Sequence, residues 1–291
     1  MGRNNILIDL IETVNTCELD EFRHELDNYK NRTNLLSQEF WTSLQQVKKT
    51  YVLEHNELLS KVCWCFETIG HTQDFFIQAF LKAKEENYYD SWCEFEKCEI
   101  ALNSLKKHCP LDNRFGLRHM EELVPKFQDM FPYTWFVSPG LIIQESRCSI
   151  CNEPIKFRKK CGHVIGEIYN GEQCNRIITK VIPLEISIVN NPVQKYSVLF
   201  GPEIKYNYGL IKYVFSGLRS PWHKWSYEKQ KRSEEIYPGA ARNSRCPCGS
   251  GKKYKNCCLL KKRIKDHFQI IFEFEPPKGL PSYIADCESY S

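Results

Sequence analysis

Apolar residues recur at three- and four-residue spacing through most of the first 130 positions. Ile6, Leu10, Ile11 and Val14 form one stripe, and Tyr51, Leu53, Leu58, Leu59, Val62 and Phe66 a second. Phe75, Phe76, Ala79 and Phe80 form a third, while Trp92, Phe95, Glu96 and Ile100 mark a fourth helix ending near His108. This is the period of helices with one buried face. Only Gly2, Gly70, Pro110, Gly116 and Pro125 interrupt the region. Breaks are expected at Gly70-His71, near Asn87-Tyr88 and at Cys109-Pro110-Leu111-Asp112-Asn113. The pattern predicts a bundle of four to five helices over residues 1–130.

From about residue 131 the pattern changes. Residues 131–141 mix aromatics with Pro and Gly, as strands and turns do. Residues 182–189 and 193–200 read as two strands joined by the turn Asn190-Asn191-Pro192, and are expected to pair with each other. A short helix is expected over 208–218. Residues 226–245 are polar and carry Pro238-Gly239, which reads as a linker over 226–241. In 267–275, Phe268, Ile270, Phe272 and Phe274 alternate with other residues, the period of a strand. The expected fold is α+β. A helical domain (1–130) leads to a mixed domain with a zinc ribbon (131–225). The linker then leads to a small cysteine module (242–261) and a final strand and tail (262–291).

Composition changes this picture in two places. Of 291 residues, 42% are hydrophobic and 26% charged, as in soluble globular chains rather than disordered or collagen-like ones. No stretch approaches the roughly 20 apolar residues that span a bilayer. Asp9 and Glu12 interrupt the apolar start, so neither a secretory signal nor a membrane span is expected. Ile6 stands where myristoylation after Gly2 would want Ser or Thr. A cytoplasmic location is the expectation. The overall charge of +4 hides an acidic half and a basic half: residues 1–145 hold 15 Lys and Arg against 23 Asp and Glu, residues 146–291 hold 25 against 13. Nine cations and no acid lie between Arg242 and Lys265. Such a block suits either an acidic partner or a solvated face.

The second departure is 15 cysteines. In a reducing compartment, clustered thiols read as metal ligands before disulfides. Cys246, Cys248, Cys257 and Cys258 stand at C-x-C-x8-C-C, with Gly249 and Gly251 free to turn the loop. Four thiolates close a tetrahedral zinc site of the structural kind. Thirteen residues cannot bury a core, so metal must supply the folding energy. A second group is Cys148, Cys151, Cys161, His163 and Cys174: five candidates for four places, with Cys148 and Cys151 as the first knuckle and two more ligands from Cys161, His163 and Cys174. Two zinc ions per chain are therefore expected. His163 and Glu167 lie four apart, so a hydrolytic zinc with Glu167 as base is conceivable. Cysteine-rich shells are more often structural. No phosphate loop and no G-x-S-x-G occurs in the sequence. Cys63 and Cys65 read as core residues, and His71, His108 and His119 as surface or capping residues. Pro221-Trp222-His223-Lys224-Trp225 with Tyr227 suits either base stacking or, preferably, anchoring of the chain.

Residues 242–261 resemble the SEC-C motif, the small zinc module named from the C-terminus of the SecA translocase. The resemblance rests on the cysteine spacing and on Gly249-Ser250-Gly251-Lys252-Lys253, and it covers only this short stretch. It implies zinc on Cys246, Cys248, Cys257 and Cys258, with Lys252, Lys253 and Lys255 on a basic face that Arg242, Arg245, Lys261, Lys262, Arg263 and Lys265 would extend. In SecA the module contacts the chaperone SecB and the ribosome, so an acidic protein or ribosomal or other nucleic acid is the implied partner. Residues 161–174 resemble zinc-ribbon segments of uncharacterised prokaryotic and phage proteins. Together these readings point to non-catalytic recognition. The alternative is a zinc-dependent nucleic-acid-processing enzyme or toxin-like effector, perhaps acting in phage defence.

Overall fold

The computed structural model describes residues 17–111, 114–156, 158, 161–231, 240–247, 250–259, 268–274 and 283–285. The Ile6–Val14 stripe, Cys248, Lys261, Lys262, Arg263 and Lys265 lie outside them, as do residues 232–239 of the expected linker and most of the tail. The described part is helical at first and mixed after residue 131. Five helices come first: α1 (Cys17–Asp27), α2 (Gln38–Leu53), α3 (Glu57–Lys84), α4 (Tyr88–Leu105) and α5 (Leu117–Gln128).

Two helix boundaries differ from the periodicity. The second stripe is split between α2 and α3, because His55 takes a positive φ and the Asn56 side chain accepts from the Leu59 N–H as an N-cap. Conversely, α3 runs straight through Gly70. A Cβ there would come within 2.9 Å of both Leu36 Cδ1 and Trp41 Cη2, so the glycine admits neighbouring side chains rather than ending the helix. A polar lock ties the bundle together. Gln73 Nε2 donates to the carbonyls of Leu26 and Phe115, Arg32 bridges Gln73 and Asp74, and Asp74 accepts from the Leu36 N–H. Buried amides and charges of this kind hold only when paired.

The mixed part contains β1 (Phe136–Cys148), the short β2 (Ile168–Tyr169) and β3 (Glu172–Gln173), β4 (Arg176–Val189), α6 (Gly209–Gly217), β5 (Trp225–Lys231), β6 (Phe268–Phe274) and β7 (Tyr283–Ala285). The expected hairpin of 182–189 with 193–200 does not form. β4 pairs antiparallel with β1, from Phe136 opposite Val189 to Cys148 opposite Arg176, and 193–200 contributes an isolated bridge from Val198 to Phe136. The start of the expected linker is also a strand. β5 pairs with β6, and β6 with β7, in a three-stranded sheet. Trp225 and Tyr227 supply its apolar positions between the polar Ser226 and Glu228, which is the alternation of a half-buried strand. One continuous core joins helices and sheet: Phe127 of α5 packs on Phe215 of α6 and Trp225 of β5, with ring centroids 5.1 and 5.0 Å apart. Cys63 and Cys65 are fully buried in this core, as their apolar surroundings suggest.

Candidate metal centres

The strand pair β1–β4 carries the first cysteine group at its end. Cys148 closes β1, and the chain turns tightly back, with Asn152 N–H donating to the Cys148 carbonyl. The intervening loop then folds through the β2–β3 pair. Cys174 N–H donates to the Glu167 carbonyl and Gly166 N–H to that of Cys174, which brings Cys174 back beside Cys148. The ligand atoms of Cys148, Cys151, Cys161 and His163 all lie within 4.8 Å of one another. The Cys148 and Cys174 sulfurs are 3.7 Å apart. A zinc tetrahedron with metal–sulfur bonds of about 2.3 Å has edges of about 3.8 Å, so this separation fits two ligands of one ion. His163 Nδ1 is buried without a hydrogen-bond partner, as a nitrogen awaiting a ligand would be, and its ring stands edge-on to Tyr169. The backbone N–H of Cys151, then that of Ile150, hold the Cys148 thiol down to about 6, while burial and the neighbouring Cys148 thiol push Cys174 up to about 11. Thus Cys148, Cys151, Cys161 and His163 come together, with Cys174 beside Cys148.

Helices brace this loop. Lys48 of α2 is buried and reaches Glu67 Oε2 of α3 and Glu172 Oε1 of β3, both at 2.7 Å, and donates to the Gly171 carbonyl at 3.4 Å. Gly171 has a φ of +68°, and a Cβ there would lie 3.0 Å from Lys48 Cδ and 3.2 Å from the Ser60 carbonyl oxygen. Ser104 donates to Gln173 Oε1. His108, read from sequence as a surface or capping residue, is buried, with Nε2 2.7 Å from the Gly166 carbonyl. Burial lowers its pKa, and since a carbonyl oxygen can only accept, Nε2 donates to it. A cavity of about 750 Å³ opens over the cluster, lined among others by Cys148, Cys161, His163, Cys174 and Val164. Glu167, the conceivable base, is exposed and is not among its lining residues.

The second group forms a separate small cluster. Cys246 and Cys257 are buried, with Tyr254 and Cys258 packed against them. A bridge pairs Arg245 with Lys253, Cys246 N–H donates to the Lys252 carbonyl, and Gly251 turns the loop at a φ of +69°. A short 3-10 turn, Tyr254–Asn256, then delivers the last two thiols. The Cys257 and Cys258 sulfurs are 3.8 Å apart, again a tetrahedral edge, and these two with Cys246 lie within 4.8 Å of one another. Arg242, Arg245, Lys252 and Lys253 are exposed and Lys255 is half-buried, with the Lys255 N–H bonded to the Arg242 carbonyl.

The aromatic run after residue 220 acts as an anchor. Trp222 Nε1 donates to the Arg32 carbonyl at 2.6 Å and the ring packs on Tyr29 and Phe76, while Tyr227 donates to Asp129 at 2.6 Å. Beside it lies a cleft of about 820 Å³ whose lining includes Lys30, Arg118, Arg219 and Lys224 against the single acid Glu122. The cleft combines residues about 100 and 190 positions apart in sequence, so periodicity could not reveal it.

The model of the SEC-C motif family matches residues 242–260, so the chain carries a SEC-C motif in that segment. A UPF0225 protein of Photorhabdus laumondii is 51% identical over 41 residues, 14% of this chain and 26% of that one. The protein translocase subunit SecA of Clostridium novyi is 64% identical over 33 residues, 11% of this chain and 4% of that one. The chain thus spans about a quarter or less of the relatives it matches. No solved structure matches it. No helix among the described residues is long and apolar enough to cross a membrane.

Proposed function

We propose that the chain is a zinc-binding, non-catalytic recognition protein whose SEC-C module docks on an acidic partner, with RNA as the best fit. The carrying observation is the hairpin in which Arg245 pairs with Lys253 and Lys255 bonds back to Arg242. It sets cations in fixed relative positions beside the thiols, and a preformed positive face loses less ordering entropy on binding a polyanion than a loose tail does. Zinc suits the thiol-rich donors of both groups. When bound, it supplies the cross-link that holds each short loop closed. Cys246, Cys248, Cys257 and Cys258 would hold one ion. Cys148 and Cys151, with two of Cys161, His163 and Cys174, would hold the other. The cleft of Lys30, Arg118, Arg219 and Lys224 supplies a second anionic contact. In SecA, named above as a relative, the same short module belongs to a protein translocase subunit; here it is coupled to a different body, and the cytoplasm is the compartment that suits reduced thiols.

The hydrolytic alternative draws on the cavity over the first cluster, but the exposed Glu167 is not among the residues that line it. The test is binding of the full chain to labelled single-stranded RNA across a salt series. The logarithm of affinity should fall linearly with that of salt, by roughly 0.7 per phosphate neutralised. Changing Lys252, Lys253 and Lys255 together to Glu should weaken binding and flatten the slope while metal content is unchanged. Equal binding by wild type and triple variant at the same salt overturns the docking role.

A further inference from the structure

We propose that the cleft beside Trp222 binds a phosphate monoester of a nucleoside, either a free nucleotide or the phosphorylated end of an RNA strand. This rests on the reading of the cleft as an anionic contact and names its ligand. Three separate segments build the cleft: the 3-10 turn Asn28–Asn31, the first turns of α5, and residues 219–224 after α6. Its volume of about 820 Å³ lies within the roughly 300–1,000 Å³ of small-molecule sites.

The rim is cationic. Lys30, Arg118, Arg219 and Lys224 are all exposed there, against the single acid Glu122. Among the described residues no ion pair engages Lys30, Arg219 or Lys224, and Arg118 reaches Glu122 only at 3.8 Å. Positive charge is thus in excess here, although residues 1–145, which supply Lys30 and Arg118, are acidic overall. Like charges held together repel, and an anion placed between them relieves the repulsion. A phosphate monoester carries about −1.5 to −2 at neutral pH, where a backbone diester or a carboxylate carries a single charge. Arginine forks also match its oxygens in pairs. The charge balance therefore favours the monoester.

The floor is set before any ligand arrives. Trp222 Nε1 donates to the Arg32 carbonyl at 2.6 Å, the Trp222 N–H to Ser220 Oγ at 3.2 Å and the Arg219 N–H to His223 Nδ1 at 3.3 Å. His119 Nε2 donates to the Pro221 carbonyl at 3.4 Å. A turn tied down in this way loses little ordering entropy on binding. The Tyr29 and Trp222 rings, with centroids 4.9 Å apart, give the cleft an apolar wall. A smaller recess of about 210 Å³ adjoins it, sharing His119, Glu122 and Lys224 and adding Lys126, Ser226 and Glu273 among others. The lysines and glutamates of this recess balance. It suits the uncharged, hydroxyl-bearing part of a nucleoside, while the cationic end takes the phosphate.

Isothermal titration calorimetry of the metal-loaded full chain with AMP, adenosine and inorganic phosphate is the test. AMP should bind at least about tenfold tighter than adenosine, and inorganic phosphate should compete with it. Arg118→Gln combined with Arg219→Gln should weaken AMP binding at least about tenfold with the thermal transition unchanged. Lys252, Lys253 and Lys255 changed together to Glu should leave AMP binding as it is. Short single-stranded RNA with a 5′-phosphate or a 5′-hydroxyl separates the two sources. A preference of at least about tenfold for the phosphorylated strand assigns the strand end. Equal binding of the two strands, with AMP still bound, assigns the free nucleotide. Wild type that binds AMP no tighter than adenosine overturns the proposal without reference to any variant's folding. A folded double variant that keeps its AMP affinity within about twofold also overturns it. RNA binding that ignores the three SEC-C lysines, beside AMP binding that needs the two arginines, would refute docking by the module and uphold this site.

Discussion

Replacing Lys48 by Met tests how the helical bundle holds the first cysteine loop. Met keeps the unbranched stem that packs against Gly171 and removes the ammonium. Burial pulls the Lys48 pKa down, but hydrogen bonds to Glu172 and Glu67 outweigh it and leave it raised. The charged form is thus stabilised by folding. Its contribution is complete below the unfolded pKa and is lost only as pH rises through the still higher folded value, so it is constant across neutral pH. Its two partners differ. The Glu67 side chain is 17% exposed and that of Glu172 65%. A half-buried charge-assisted bond contributes about 1.5–3 kcal/mol, and an exposed one about 0–1 kcal/mol. Lys48→Met should therefore cost about 2–3 kcal/mol, mostly through Glu67, which keeps Gln45 as a donor. Urea unfolding followed by tryptophan fluorescence measures this. Double-mutant cycles should give coupling of about 1 kcal/mol or more with Glu67→Gln and under about 0.5 kcal/mol with Glu172→Gln. The variant should also release metal from the first cluster faster to a chelator. A cost below about 0.5 kcal/mol, or equal coupling to both carboxylates, would refute the reasoning.

Four further outcomes follow from the same geometry. Trp222→Phe removes the bond to the Arg32 carbonyl and should cost about 1–3 kcal/mol in the same unfolding assay; an unchanged midpoint would mean the run does not anchor the chain. His119 is held below its ordinary pKa by burial, so its neutral form is favoured on folding and stability is lost as pH falls from the unfolded value of about 6.5 through the lower folded one; His119→Gln should reduce the loss between pH 7 and 5 by up to about 1 kcal/mol, and an identical pH profile would contradict this. Chelation at the SEC-C module should leave the main thermal transition in place, because its buried residues form their own cluster. Cys148→Ser should lower that transition, because its loop is bonded to three helices.

Several elements were legible in the chain because the signal is local. The helical periods, the α6 helix and the β6 strand need only neighbouring residues, and so did the two cysteine groups, of which the structure brings together Cys148, Cys151, Cys161 and His163 in one and Cys246, Cys257 and Cys258 in the other. The β1–β4 pairing was not legible, because alternation identifies a strand but not its partner, and here the two partners are separated by residues 149–175 of the sequence. Gly70 misled because a glycine that ends a helix and one that admits a neighbour look alike until Leu36 and Trp41 are placed. His108 gave no sign of burial, since the carbonyl it meets comes from Gly166. Likewise β5 hid in a polar stretch whose apolar face is only Trp225 and Tyr227.

The central claim is that each of two thiol-rich centres holds one zinc ion. Elemental analysis of the purified full chain, repeated on Cys148→Ser and Cys257→Ser, tests it most directly. Two zinc ions per chain are expected in the wild type and one in each variant. A wild-type ratio near one or zero, with the corresponding thiols freely reactive, or a variant that keeps both ions, would contradict the account.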